Sequence, residues 1–220
     1  MADFTGKRGL VLGVANKRSI AWAIARRLAD GGAQLAFTFQ GERIEAGVRE
    51  LAESVSSPLV TECDVRSDDD VARVFAEVGE TFGGQLDYLV HSVAFAAAED
   101  LEGRFTDTPR DRFWMAVDIS AYSLVACARA AEPLMEAAGG GSIVTMTYLG
   151  GERAVPHYNV MGVAKATEWT SRSRPPPNAS PVSAKTRATS SSERTSHAVT
   201  SGLSTDPASS RTFPSIRSPW

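Results

Sequence analysis

Gly9-Leu10-Val11-Leu12-Gly13-Val14-Ala15-Asn16-Lys17-Arg18-Ser19-Ile20-Ala21 reads as a buried strand, a glycine turn and the opening of a helix. The run from Gly9 to Gly13 has no polar alternation, as expected of a strand covered on both faces. Gly13 leaves the strand, and Ser19 stands where a helix N-cap belongs. The amide groups exposed at such a helix start form an anion site suited to a pyrophosphate. Ile20, Ile24 and Leu28 then share one helix face, and Asp30-Gly31-Gly32 ends the helix. The later glycines of the G-x-G-x-x-G pattern are missing, so an ordinary capped turn fits this stretch equally well.

Outward from this unit the same alternation repeats. Gln34 to Phe39, Leu59 to Cys63, Leu86 to His91 and Ser142 to Thr147 read as strands. Glu42 to Ser54 and Asp68 to Phe82 read as helices, the second with Val71, Val74, Phe75 and Val78 spaced for burial. Arg110 to Ala138 reads as one long helix, broken or bent near Pro133, and Tyr158 begins another. Strict β-α alternation implies an α/β fold, a Rossmann-type doubly wound parallel sheet with helices on both faces.

The chain has 220 residues and a net charge of -3, which gives no case for nucleic-acid binding. No apolar run approaches the ~18–20 residues of a membrane span, and the N-terminus has no apolar signal core, so a soluble cytoplasmic protein is expected. Cys63 and Cys127 lie within apolar runs without metal-ligand spacing and are expected as buried thiols. From about residue 169 the composition changes. Two thirds of residues 171–220 are Ser, Thr, Pro or Arg, and seven basic residues stand against Glu193 and Asp206. No period of 2 or 3.6 survives, so the tail is expected to be disordered.

Polar groups gather where the strands end. Gln40 follows the second strand, where it can bond ribose hydroxyls or be a plain polar strand end. Glu42 nearby disfavours a 2′-phosphate, which favours NADH over NADPH. Asp64, in Cys63-Asp64-Val65, can accept from an adenine amino group or cap its own turn. His91-Ser92-Val93-Ala94 follows the fourth strand, with small residues that let backbone approach a ligand; His91 itself reads as packed rather than catalytic.

Tyr158-Asn159-Val160-Met161-Gly162-Val163-Ala164-Lys165 spaces a phenol and an ammonium seven residues apart, close to two helical turns. Both side chains then project from nearly one face, able to meet an oxyanion and a cofactor ribose. Thr147-Tyr148-Leu149-Gly150 ends the fifth strand ten residues before Tyr158.

With these stretches, together with Ala36-Phe37-Thr38-Phe39-Gln40 and Asp118-Ile119-Ser120-Ala121-Tyr122-Ser123, residues 4–167 resemble the NADH-dependent enoyl-acyl-carrier-protein reductases of bacterial fatty-acid synthesis, within the short-chain dehydrogenase/reductase superfamily. Ordinary superfamily members space their tyrosine and lysine by four rather than seven. The resemblance implies hydride transfer from NADH to the β-carbon of a trans-2-enoyl thioester. It implies that Tyr158 donates to the thioester oxygen, that Lys165 holds the nicotinamide ribose, and that Tyr148 lines the acyl pocket. It implies cofactor contacts at Gly13, Ser19, Ile20, Gln40, Asp64, Val65, Ser92, Val93, Ile119, Thr147 and Lys165. The implied substrate is carried on acyl carrier protein, and the implied assembly is a homotetramer.

The family's later strands, its Gly-Pro loop and its substrate-covering helix have no counterpart after Thr167. The expected organisation is an incomplete reductase domain over 1–168 and a tail over 169–220, disordered or read out of frame from a GC-rich gene. The fifth strand should then be an exposed edge, the Tyr158 helix should fray, and little turnover is expected. A truncated non-catalytic NAD(H)-binding module with a basic tail, or another short-chain reductase, are the competing readings.

Overall fold

The computed structural model describes residues 2–167 and 183–187. The other expectations for the tail fall on residues outside the described ones. The strands are β1 (Arg8–Leu12), β2 (Gln34–Phe39), β3 (Leu59–Glu62), β4 (Tyr88–His91), β5 (Ser142–Met146) and β6 (Ser183–Arg187). The helices are α1 (Ile20–Ala29), α2 (Glu42–Glu53), α3 (Asp68–Thr81), α4 (Ala98–Glu102), α5 (Arg110–Val117), α6 (Ser123–Ala137) and α7 (Asn159–Thr167). All strand pairs are parallel, in the order β3-β2-β1-β4-β5-β6.

Alternate residues of the strands point to opposite faces, and each face has its own core. Leu10, Leu12, Ala36 and Leu89 pack with Val71, Val74, Phe75 and Val78 of α3 and with Cys127, Ala131 and Met135 of α6. Val11, Leu35, Phe37, Phe39 and Val90 pack with Ala21, Trp22 and Ala25 of α1 and with Val48 and Ala52 of α2. This is the expected double winding. Both cysteines are free and buried, and burial pushes their thiols up to about 12. Among the described residues no group of acidic, histidine and cysteine side chains is set to hold a metal. No described helix is long and apolar enough to cross a membrane.

At the start of the sheet, Asp87 ties two strands together. Its carboxylate, only 5% exposed, takes Lys7 Nζ and Arg8 Nε at 2.9 Å each, and the Arg8 amide at 3.0 Å. Burial acts to raise its pKa, but these partners win, and the group is held below the usual carboxylate range. At the β3 edge, Arg49 donates to the Val60 carbonyl at 3.3 Å and Arg73 to the Glu62 carbonyl at 2.7 Å. Two guanidinium groups thus occupy carbonyls of an edge strand.

Three expectations need correction. The long helix is not broken at Pro133, which lies inside α6; it is interrupted earlier by a π-helical turn, Asp118–Tyr122. The outer side of β5 is not an open edge. Ser183–Arg187, from the segment after residue 168, runs parallel to it with Ser142 opposite Ser183 and Met146 opposite Arg187. Backbone pairing needs no hydrophobic period, which is why composition gave no hint of it. Nor is α7 without neighbours: Val160, Met161 and Ala164 are buried, and it packs on α4, α5 and the turns at 118–122 and 149–151.

Candidate active site

The strand order reverses between β1 and β4, so a crevice opens beyond their C-terminal ends. Gly13 stands at its rim with φ +94°, a conformation that only glycine adopts without strain. A Cβ there would lie 2.0 Å from the Ser92 carbonyl oxygen, so the turn after β1 presses directly on the residue after β4. Ser92 and Val93 line this end of β4, half-buried.

Ser19 does not cap α1. Its hydroxyl turns back into the loop and accepts from the amides of Ala15 at 3.1 Å and Asn16 at 3.0 Å. The loop amides need an acceptor of their own, and the serine directly ahead of the regular helix is the nearest one. The first turn of α1 is left without a side-chain cap or an acidic residue, and Ile20 is exposed beside it. Amides at the start of this ten-residue helix therefore remain suited to an anionic group.

Gln40 is exposed at the end of β2, with Glu42 two residues on in the first turn of α2. Asp64 and Val65 are half-buried after β3. The Asp64 carboxylate takes Arg66 Nε at 3.0 and 3.1 Å and the Arg66 amide at 3.0 Å. The Arg66 hydrogen bond leads in holding its pKa down. The turn-forming alternative for Asp64 is therefore the arrangement seen.

At the end of β5, Thr147 is buried and its hydroxyl donates to the Lys165 carbonyl at 3.3 Å. Lys165 is only 3% exposed, and its ammonium donates to the Val93 carbonyl at 3.2 Å. The lysine thus reaches from α7 across to the end of β4. Tyr158 precedes α7, and its carbonyl accepts the helical bond from Gly162 at 2.7 Å. The residue before it, His157, has φ +60°, which turns the chain sharply into the helix. The rings of Tyr158 and Tyr148 lie 4.6 Å apart between centroids, inclined by 55°. Ile119 sits in the π-helical turn, where its carbonyl accepts from Ser123 at 2.6 Å.

The structure therefore gathers Gly13, Ser92, Val93, Thr147 and Lys165 around the ends of β1, β4 and β5, with Tyr148 and Tyr158 in contact beside them. Gln40 and Asp64 stand further along the same row of strand ends. His91 is packed, as read from sequence: it is fully buried, and burial, with the Lys165 charge second, pushes it down to about 3. Gly150, Ser120 and Ser123 stand within stretches quoted from the sequence, but sequence reasoning assigned them no role. The tandem glycines at 150–151 and the serines three apart were the available signals. A cleft of ≈ 440 Å³ lined by Trp114, Met115, Val117, Asp118 and Tyr122 contains none of the candidate residues.

A parallel sheet whose order reverses at β1 and β4, with a glycine turn on one side and a tyrosine–lysine helix on the other, defines a Rossmann-type doubly wound fold. Residues 13–171 match the model of the enoyl-(acyl carrier protein) reductase family, and the chain belongs to that family. It is 51% identical over 164 residues to the NADH-dependent enoyl-acyl-carrier-protein reductase FabI of Bacillus cereus, covering 74% of this chain and 63% of that protein. Identity to the Aquifex aeolicus FabI is 50% over 166 residues, covering 76% of this chain and 61% of that one. The chain thus spans about three fifths of the length of these relatives. A solved Bacillus cereus enoyl-acyl carrier protein reductase, with NADP+ and indole naphthyridinone, superposes with a TM-score of 0.73 at 49% identity, over 78% of this chain and 66% of that one. The Anaplasma phagocytophilum reductase in complex with NAD gives 0.73 at 42% identity, over 78% and 64%.

Proposed function

We propose that this chain carries the cofactor and proton-donor half of an enoyl-acyl-carrier-protein reductase that uses NADH. The observation that carries this reading is the pairing of Tyr158 with Tyr148 beside a lysine whose ammonium turns to the end of β4. The Gly13 turn supports it: only a residue without a side chain leaves the crevice open at Ser92. The residues suit a nicotinamide dinucleotide. The amides opening α1 would face its pyrophosphate, Gln40 an adenosine ribose hydroxyl, and Lys165 the nicotinamide ribose. Asp64 and Val65 would border the adenine, and Ser92, Val93, Ile119 and Thr147 the nicotinamide side. Ser19 would act through the loop amides that it holds.

When bound, the nucleotide supplies a hydride for the β-carbon of a trans-2-enoyl thioester. As charge moves onto the thioester oxygen, the Tyr158 hydroxyl donates a hydrogen bond to it and stabilises the enolate where it forms. Tyr148 packs its ring on Tyr158 and so restricts the orientations open to that hydroxyl. Lys165 fixes the ribose and through it the approach to the acyl chain.

The substrate is proposed to arrive on acyl carrier protein, in the cytoplasm. Exposed Trp114, Tyr122 and Val125 support self-association, consistent with a homotetramer. Residues 1–168 act as the reductase domain and 169–220 as a segment outside the catalytic part.

The test is to titrate the 220-residue chain with NADH and then follow NADH consumption with a crotonyl thioester. Saturable binding and slow thioester-dependent oxidation are expected, the oxidation falling by about a hundredfold in Tyr158→Phe. Failure to bind NADH overturns the reading, as does oxidation driven by ketones and not by enoyl thioesters.

A further inference from the structure

The π-helical turn between α5 and α6 is an inserted residue, and such an insertion rotates the downstream residues by about 100° around the helix axis. Two buried serines use that rotation. Ser120 Oγ accepts from the Phe95 amide at 3.0 Å and donates to the Phe95 carbonyl at 3.3 Å. Ser123 Oγ donates its single proton to the Ile119 carbonyl at 2.6 Å, so its 2.8 Å contact with His91 Nε2 is received from the ring N–H. His91 Nδ1 is then the acceptor, facing the Thr145 hydroxyl at 3.5 Å.

The segment leaving β4 is therefore pinned at both ends, at His91 and at Phe95, by hydroxyls from one stretch of helix. Val93 lies between the pins, and its carbonyl accepts from the Lys165 ammonium. A carbonyl that receives an ammonium fixes where that ammonium rests. Both serines are fully buried, so neither owes these bonds to solvent exchange.

We infer that Ser120 and Ser123 are positioning residues for Lys165, clamping the 91–95 segment so that the Val93 carbonyl holds the ammonium at the crevice. The consequence for cofactor binding rests on the reading that Lys165 faces the nicotinamide ribose. Neither serine touches the reacting atoms.

The deciding measurement needs no cofactor. The full chain is acetylated with an amine-reactive reagent, and modification of Lys165 is followed by peptide mass spectrometry with exposed Lys17 as the internal standard. Ser120→Ala and Ser123→Ala are expected to raise the relative rate at Lys165 by about fivefold, the change one lost hydrogen bond sets. Val48→Ala, in the core on the opposite face of the sheet, loses stability without touching the clamp and should leave that rate unchanged. Unchanged labelling in the folded serine variants overturns the inference, and so does an equal rise in Val48→Ala. If an alanine variant does not fold, the cysteine variant at that position replaces it, with the same rise expected. NADH titration of the parent chain decides the cofactor reading separately, whatever the labelling shows.

Discussion

Gly150 and Tyr158 share one space: a Cβ on Gly150 would stand 2.1 Å from Cδ1 of the Tyr158 ring. The turn after β5 and the residue before α7 approach so closely that only hydrogen fits between them. Gly162 adds to the closeness, since a Cβ there would lie 2.8 Å from the Gly150 carbonyl oxygen. The phenol is therefore seated by backbone on one side and by the Tyr148 ring on another.

Gly150→Ala should push the Tyr158 ring from this seat. Turnover of the enoyl thioester is expected to fall by at least about tenfold, because small displacements of a catalytic group carry large rate costs. NADH affinity should change far less. A titration and a rate measurement on the same preparation check the split.

Gly13→Ala should act on both folding and binding. The variant places a methyl group against the Ser92 carbonyl and forces a left-handed conformation on a residue with a side chain. A loss of more than about 1 kcal/mol in stability is expected, together with weakened NADH binding. Urea unfolding monitored by tryptophan fluorescence measures the first and titration the second.

His91 makes stability fall on the acid side. Its folded pKa is depressed to about 3 from 6.5, so the unfolded chain binds the extra proton first as pH drops. The contribution is fully present above pH 6.5 and is lost progressively down to about pH 3. At pH 5 the loss is about 2 kcal/mol. Unfolding free energies of the parent and of His91→Asn between pH 7 and pH 5, about the range where only histidine titrates, should differ in slope, the variant being the flatter.

Asp87→Ala should cost about 2–3 kcal/mol, because a buried hydrogen-bonded carboxylate is removed from two cations. Most of that belongs to Arg8, since Lys7 is 49% exposed and its pair is screened. Lys7→Ala is accordingly expected to cost under about 1 kcal/mol. Thermal unfolding of the two variants gives the comparison.

Much of the fold was legible in the chain itself. Strands β1 to β5 and helices α1 to α3 are set by apolar runs and helical spacing, and their boundaries agree within about two residues, as such readings allow. Tyr158 and Lys165 announce themselves by spacing. The features that stayed hidden depend on contacts between distant segments. Pro133 was the visible helix breaker, yet the interruption comes where Ser120 and Ser123 reach the β4 exit. Helix α4 is five residues long, too short to show a period. Ser183–Arg187 pairs through its backbone, which leaves no mark in composition. The seat that Gly150 gives Tyr158 depends on how a turn meets a helix, and no spacing rule encodes that.

The arginines at β3 give the sheet a direction of growth. With Arg49 and Arg73 already bonded to Val60 and Glu62, an incoming strand on that side would have to evict two guanidinium groups before forming its own ladder. On the opposite side a strand joins without any such eviction, as Ser183–Arg187 does. Recombination or insertion that adds strands to this architecture is therefore tolerated past β5 and resisted at β3.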